Sequence, residues 1–331
     1  MCDLDRRDFL ATLGAISLAF RLKAEATESV SEATGSASEA TGSASEFADP
    51  LMESRGFRLQ AEGRIRPGYA AITWGGNDEQ AIQDIAEAGF KGIQLRASAF
   101  DKWGARPADL RALLQRHGLT FAVLSSGNLK YQPADRGAQM DLHLSHAAFV
   151  RDAGGQFLQV IDEKPKDRPV TDDDYAALAG LLNRLGERTK ALGVPLVYHH
   201  HMNSTGEAPA AIEAIMEDSA ASAVGLLFDV AHYQQGGGDP VKAIRRYGKA
   251  IKVVHLKDVR PIDAPPGYQW VELGRGRVDV KGCVAALEDV GFDGWAIVEL
   301  DRVVDPDGSP KASAAANRDY VVKQLGLALN P

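Results

Sequence analysis

From Tyr69 onward, short apolar runs alternate with segments of helical periodicity eight times, and this alternation limits the possible folds more than any other feature. The runs are YAAITW (69–74), KGIQLR (91–96), TFAVLS (120–125), QFLQVI (156–161), PLVYHH (195–200), VGLLF (224–228), IKVVHL (251–256) and WAIVEL (295–300). Strands this apolar leave no polar face for water, so the sheet they form is parallel and covered on both sides. Eight strand–helix units in roughly 260 residues match a closed (β/α)₈ TIM barrel of the α/β class better than an open sheet. The open, dinucleotide-binding alternative gains no support, because Trp74-Gly75-Gly76-Asn77 lacks the GxGxxG spacing after the first run. Several helix starts are also legible: proline opens the helix at Pro107, and Thr171 with Asp174 three residues on reads as a capping box.

The chain before the barrel reads differently. Arg6-Arg7-Asp8-Phe9-Leu10, followed by an apolar run of about 12 residues, is too short to span a bilayer and has the make-up of a signal segment. The arginine pair resembles the bacterial twin-arginine export signal, which implies a periplasmic or secreted protein. With no lipobox before a cysteine, no stable membrane anchor is expected. From Thr27 the composition falls to Ser, Ala, Glu, Thr and Gly, and SEATGSA occurs twice in tandem at 31–37 and 38–44. Such a stretch cannot offset its ordering entropy and is expected to be a disordered linker. The expected organisation is therefore a signal peptide over 1–26, a linker over 27–66 and a barrel over 67–331.

In a barrel of this kind the chemistry sits at the C-terminal ends of the strands. Four consecutive strands there end in a metal-ligating side chain: His199 (within His199-His200-His201), Asp229, His255 and Glu299. Alternation puts His199 and His201 on one face and His200 on the other, so either of the first two can supply the ligand. Two imidazoles and two carboxylates suit one divalent Mn, Co, Zn or Fe ion better than Mg, which prefers oxygen. Of the aromatic residues that could wall a sugar pocket, Trp74 at a strand end is favoured over Phe100, Trp103 and Trp270. His143 and His146 fall on a helical pattern and are assigned to packing or surface, and Cys283 to a buried small hydrophobe. A net charge of −8 gives no general attraction to nucleic acid.

These motifs also carry a resemblance. VGLLFDVAH (224–232), VHLKDV (254–259) and IVEL (297–300) resemble the xylose isomerase-like barrel superfamily of sugar isomerases and epimerases. YHHHMNST (198–205), with Gly237-Gly238-Asp239-Pro240, is closest to its inosose dehydratase branch. The resemblance implies the same four metal ligands, active-site roles for His232 and Lys257, and an arginine facing substrate oxygens at Arg277. It also exposes two departures: many of the epimerases carry Glu where this chain has His199, and strand two often ends in Glu where this chain has Gln94.

The expectation is a metal-dependent enzyme that abstracts a proton beside the carbonyl of a small keto-sugar or cyclitol. Glu299 or His201 would act as base, Lys257 and His232 would assist, and Trp74, Gln94 and Arg277 would hold the substrate. Reprotonation gives an isomerase or epimerase, the reading placed first; loss of a β hydroxyl gives an inosose dehydratase-like lyase, placed second. Barrel endonucleases share the superfamily's fold, but the net charge and export argue against one. Four intact strand-end ligands argue against a non-catalytic sugar-binding barrel.

Overall fold

The computed structural model describes residues 65–132 and 136–329, so the expected signal segment and all but the end of the expected linker lie outside the described residues. The strands are β1 (Ile65–Ala70), β2 (Gly92–Arg96), β3 (Thr120–Leu129), β4 (Phe157–Asp162), β5 (Leu196–His199), β6 (Val224–Asp229), β7 (Ile251–Leu256), β8 (Asp258–Pro261), β9 (Tyr268–Val271) and β10 (Gly294–Val298). Eight of them close into a barrel in the order β1-β10-β7-β6-β5-β4-β3-β2, every pair parallel. Closure runs from Ile65 opposite Gly294 to Tyr69 opposite Val298. The remaining two, β8 and β9, form an antiparallel hairpin immediately after β7.

The helices that matter for the site are few. α1 (Asp78–Glu87) follows β1, α2 (Ser98–Trp103) and α3 (Pro107–Arg116) follow β2, and α4 (Arg136–Ala153) follows β3. α5 (Asp172–Ala191) follows β4, α6 (Pro209–Glu217) follows β5, and the six-residue α7 (Val230–Gln235) starts directly at the end of β6. Proline occupies the first turn of α3 and α6, where its missing N–H costs nothing. At the start of α5 the Asp174 half of the capping box is present: the Thr171 backbone N–H and hydroxyl donate to Asp174 Oδ2 at 2.9 and 3.1 Å, while the Asp174 N–H donates to the Thr171 carbonyl at 3.0 Å.

Two features differ from the sequence expectation. The first strand spans Ile65–Ala70 rather than 69–74, and Ala71–Trp74 is a 3₁₀ turn closed by Gly75 at φ 62°. A buried turn is as apolar as a buried strand, so the YAAITW run could not tell them apart. The β8–β9 hairpin was not anticipated, because its strands are only four residues long and half exposed.

Inside the barrel, Ala70, Val123, Val197, Leu227, Val253, Trp295 and Ile297 form a compact core separate from the larger layer between strands and helices. Trp295 fills the space over Gly92, where an added Cβ would lie 2.3 Å from the ring, and its indole N–H donates to Gln156 Oε1 at 2.7 Å. The barrel is therefore a filled cylinder with its open end at the strand C-termini.

Under α4, Ser126 Oγ of β3 lies 2.6 Å from His143 Nδ1 and 2.8 Å from His146 Nδ1, and both rings are buried as packing groups. Burial first, then the neighbouring His146, pushes His143 down from 6.5 to about 4. Between those values the unfolded chain binds a proton that the folded chain does not. The contribution of a neutral His143 is thus complete above the upper value and is lost as pH falls through the window. Replacing His143 with Asn should remove roughly one proton from the acid-side slope of stability, read from thermal melts taken at several pH values. An unchanged slope would show that His143 is not held neutral.

Candidate active site and metal centre

The period-two alternation of each strand carries the barrel core upward into a polar cluster. Val197 is followed on the inner face by His199 and His201, Leu227 by Asp229, and Val253 by His255 and Lys257. Trp295 and Ile297 are followed in the same way by Glu299 and Asp301. This cluster borders a cavity of about 400 Å³ at the open end of the barrel. His200, of opposite parity, turns outward: it accepts from the Asp229 N–H at 3.2 Å and packs on Phe228 and Tyr233.

His199, Asp229, His255 and Glu299 each bring one ligand atom to a common point, all within 4.8 Å of one another and all four residues buried. Asp229 Oδ1 caps α7, accepting from the Ala231 and His232 N–H groups at 2.9 and 2.8 Å, which leaves Oδ2 to point into the cluster. His255 Nδ1 lies 3.4 Å from Asp229 Oδ2 and 3.6 Å from Glu299 Oε2. Asp229 Oδ2 and His255 Nδ1 face each other in this cluster and are both buried without a hydrogen-bond partner, as is Nδ1 of the His199 ring. Orphaned buried polar atoms of this kind are costly, and their place within the cluster fits a divalent cation.

The charge states agree with that fit. Burial would raise the Asp229 and Glu299 carboxyls, but their neighbours, the Lys257 ammonium among them, outweigh burial and hold both below their ordinary values. Burial, followed by the neighbouring His255, holds His199 well below its ordinary value and so neutral. Ionised carboxylates and a neutral imidazole are the protonation states a metal ion requires. Lys257, fully buried, donates to Glu299 Oε1 at 2.9 Å and Asp301 Oδ1 at 2.6 Å, with the Trp270 ring face 4.7 Å from its ammonium. Burial alone would push that ammonium down, but Asp301 and Glu299 outweigh it and hold the group well above its ordinary range.

The expected site residues divide by place. His199, His201, Gln94 and Glu299 line the cavity, while Asp229, His232, His255 and Lys257 are buried beside them. Trp74 does not reach it. Because β1 ends four residues earlier, Trp74 sits in the core, with its indole N–H donating to Asp84 Oδ2 at 2.9 Å. Arg277 also stands apart, its guanidinium bonded to Gln235 Oε1 at 2.7 Å on the exposed rim. Trp270, ranked below Trp74 from sequence, is the tryptophan beside the cluster, 4.6 Å from the His232 ring. Asp301, Gln159 and Asn128 were missed, although Asp301 shares the parity of Glu299.

Sequence reading also missed a fastening of the wall. The buried Asp258 carboxylate accepts four backbone N–H groups, from Val259 (2.8 Å), Gly274 (2.9 Å), Gly276 (2.9 Å) and Val278 (3.0 Å). Gly276 is required there, since a Cβ would meet Asp258 Oδ1 at 2.1 Å.

Alanine at both Asp229 and His255 should abolish tight binding of a divalent cation while leaving the barrel folded. Elemental analysis after dialysis, together with far-ultraviolet circular dichroism, checks this; unchanged metal content would rule out the four-residue centre.

Comparison with known proteins agrees with the fold and places the chain. Residues 82–322 match the family described as xylose isomerase-like TIM barrel. An inosose dehydratase of Lacticaseibacillus casei is 29% identical over 277 residues, covering 72% of this chain and 90% of that protein. Among solved structures, the IOLI protein with a bound zinc atom superposes with a TM-score of 0.66 at 17% identity, covering 79% of this chain and 98% of that one. A sugar phosphate isomerase/epimerase from Parabacteroides distasonis does so with a TM-score of 0.63 at 17% identity, covering 84% and 100%. At these identities the two structures speak for the fold alone. The curated relatives are enzymes, and the chain itself belongs to the xylose isomerase-like TIM barrel family.

Proposed function

We propose that this protein is a lyase that removes water from a keto-cyclitol or closely related keto-sugar. The observation that carries this reading is the way the backbone of Met202 holds His201 with one ring nitrogen free, beside His232. His201 Nδ1 lies 2.7 Å from the Met202 carbonyl, which only accepts, so Nδ1 bears the proton and Nε2 keeps a lone pair. The Met202 N–H donates to His232 Nδ1 at 3.2 Å, and on the other side of that ring Nε2 lies 3.5 Å from the Lys257 ammonium. Asn203, in the left-handed region at φ 63°, sets the turn that presents both groups of Met202. The two rings lie side by side with centroids 3.9 Å apart, so the free lone pair of His201 sits next to the His232–Lys257 pair.

The two carboxylates that line the cavity are both engaged by Lys257, Asp301 through Oδ1 at 2.6 Å. Glu299 takes Lys257 on one oxygen and Gln94 on the other, at 2.9 and 3.4 Å. Diametrically across the barrel from β10 and β7, strands β4 and β3 present neutral groups, Gln159, Ser125 and Asn128. Epimerisation at one carbon needs an acceptor on one face and a donor on the opposite face. A single free base on one side suits elimination with both events on the same face.

In that reaction His201 Nε2 takes the proton from the carbon beside the ketone, and the electron pair moves onto the carbonyl oxygen as an enolate. The enolate then re-forms the carbonyl and expels the β hydroxyl, which receives the same proton from His201 and leaves as water. An α,β-unsaturated ketone remains and the imidazole ends unchanged. Lys257, whose ammonium lies 3.5 Å from His232 Nε2, stabilises the negative charge that develops. A divalent ion held by His199, Asp229, His255 and Glu299 would add Lewis-acid polarisation of the substrate oxygen. The supporting relatives are inosose dehydratases, whose name describes this class of chemistry.

Incubating the metal-loaded protein with keto-inositols in D₂O should yield the enone, seen by ultraviolet absorbance and NMR. His201→Gln should lower its rate by about 10²–10⁴-fold with metal content unchanged. Deuterium incorporation or a stereoisomer without enone would instead establish the isomerase or epimerase reading. Export rests on the arginine pair at Arg6-Arg7, and loss of periplasmic protein on Arg6→Lys with Arg7→Lys would support it.

A further inference from the structure

Gln94 stands where a substrate contact is expected, yet both ends of its amide are turned to the metal centre. Its Oε1 lies 2.9 Å from His255 Nε2, and its Nε2 donates to Glu299 Oε2 at 3.4 Å. The side chain is buried, on the inner face of β2. Its amide orientation is fixed by its partners. Turned over, it would set a carbonyl against the Glu299 carboxylate and an NH₂ against a ring nitrogen that must then accept.

His255 has a choice that matters for binding. Its Nδ1 faces two carboxylate oxygens, Asp229 Oδ2 and Glu299 Oε2, at 3.4 and 3.6 Å. A ring with nothing on its other side would place its proton on Nδ1, toward those anions. That is the nitrogen that must be bare for a metal, and in the structure it has no hydrogen-bond partner. An acceptor on Nε2 draws the proton to the far side and leaves the Nδ1 lone pair directed at the ligand cluster.

We infer that Gln94 is a positioning residue: its carbonyl holds His255 in the Nε2–H tautomer, presenting Nδ1 to the cation, while its NH₂ orients Glu299. The inference rests on the four-residue metal centre and extends it by one residue on the far side of the barrel seam, since β2 and β10 are separated by β1. It also accounts for glutamine here. A carboxylate could accept from His255, but it could not donate to Glu299 and would repel it.

The test compares wild type, Gln94→Met, which removes both bonds at similar volume, and Gln94→Glu, which keeps only the acceptor. Nitrogen-15 NMR of the metal-free proteins should show His255 as the Nε2–H tautomer in wild type and in Gln94→Glu. In Gln94→Met the proton should move to Nδ1. Competition with a chromophoric chelator should give zinc binding weakened about 10- to 100-fold by Gln94→Met. A wild-type ring protonated on Nδ1, or a folded Gln94→Met protein with unchanged zinc affinity, overturns the inference. If Gln94→Met does not fold, the tautomer in wild type and Gln94→Glu decides alone. Failure of wild type to bind zinc would defeat the metal centre itself, which the metal-free NMR readout separates from the role of Gln94.

Discussion

A strand in a closed barrel has one face turned inward and one turned to the helices, and its residues alternate between them without exception over a regular stretch. In this protein that constraint does two tasks with the same side of each strand. Lower down it supplies Val197, Leu227, Val253, Trp295 and Ile297 to a packed interior; two residues later it delivers His199, Asp229, His255 and Glu299 to one point. The apolar floor fixes the height and direction of the ligands above it, because shifting any strand by one residue would send its ligand into the helix layer and a helix-facing residue into the core. The site therefore inherits its geometry from the packing beneath.

The polar cluster on that floor is held together by mutual compensation. Asp229, Glu299 and Asp301 surround one ammonium, that of Lys257, in a setting closed to water below and partly covered by Trp270. Three carboxylates against one lysine leave a negative excess, and a divalent ion would bring the group to neutrality. The same excess keeps Lys257 charged despite complete burial.

What the sequence made legible follows this division. The barrel and the meeting of four strand-end side chains could be read because each depends on side-chain type at a fixed period. His200 could be set aside by the same rule, and the structure turns it outward. Trp74 could not be placed, since a 3₁₀ turn continues the apolar run past the end of β1 and carries the indole into the core. Arg277 follows a glycine-rich loop whose course depends on Asp258, a contact sixteen or more residues distant for Gly274 and Gly276. The holding of His201 beside His232 was invisible because it is done by the backbone of Met202, and a backbone group has no letter in the sequence.

The Asp258 fastening has a consequence for how this barrel can diversify. Its four N–H contacts tie the start of the hairpin at Val259 to the segment from Gly274 to Val278, so the wall carrying Trp270 is secured at its base. Between those anchors, the tip from Ile262 to Gly267 is exposed or half-exposed and touches none of the acid–base groups by hydrogen bond. Insertions or exchanges there would change the exposed tip while the base tied to Asp258, and Lys257 next to it in the chain, stay in place. The hairpin is thereby free to vary at one end without loosening the segment that carries Trp270 at the other.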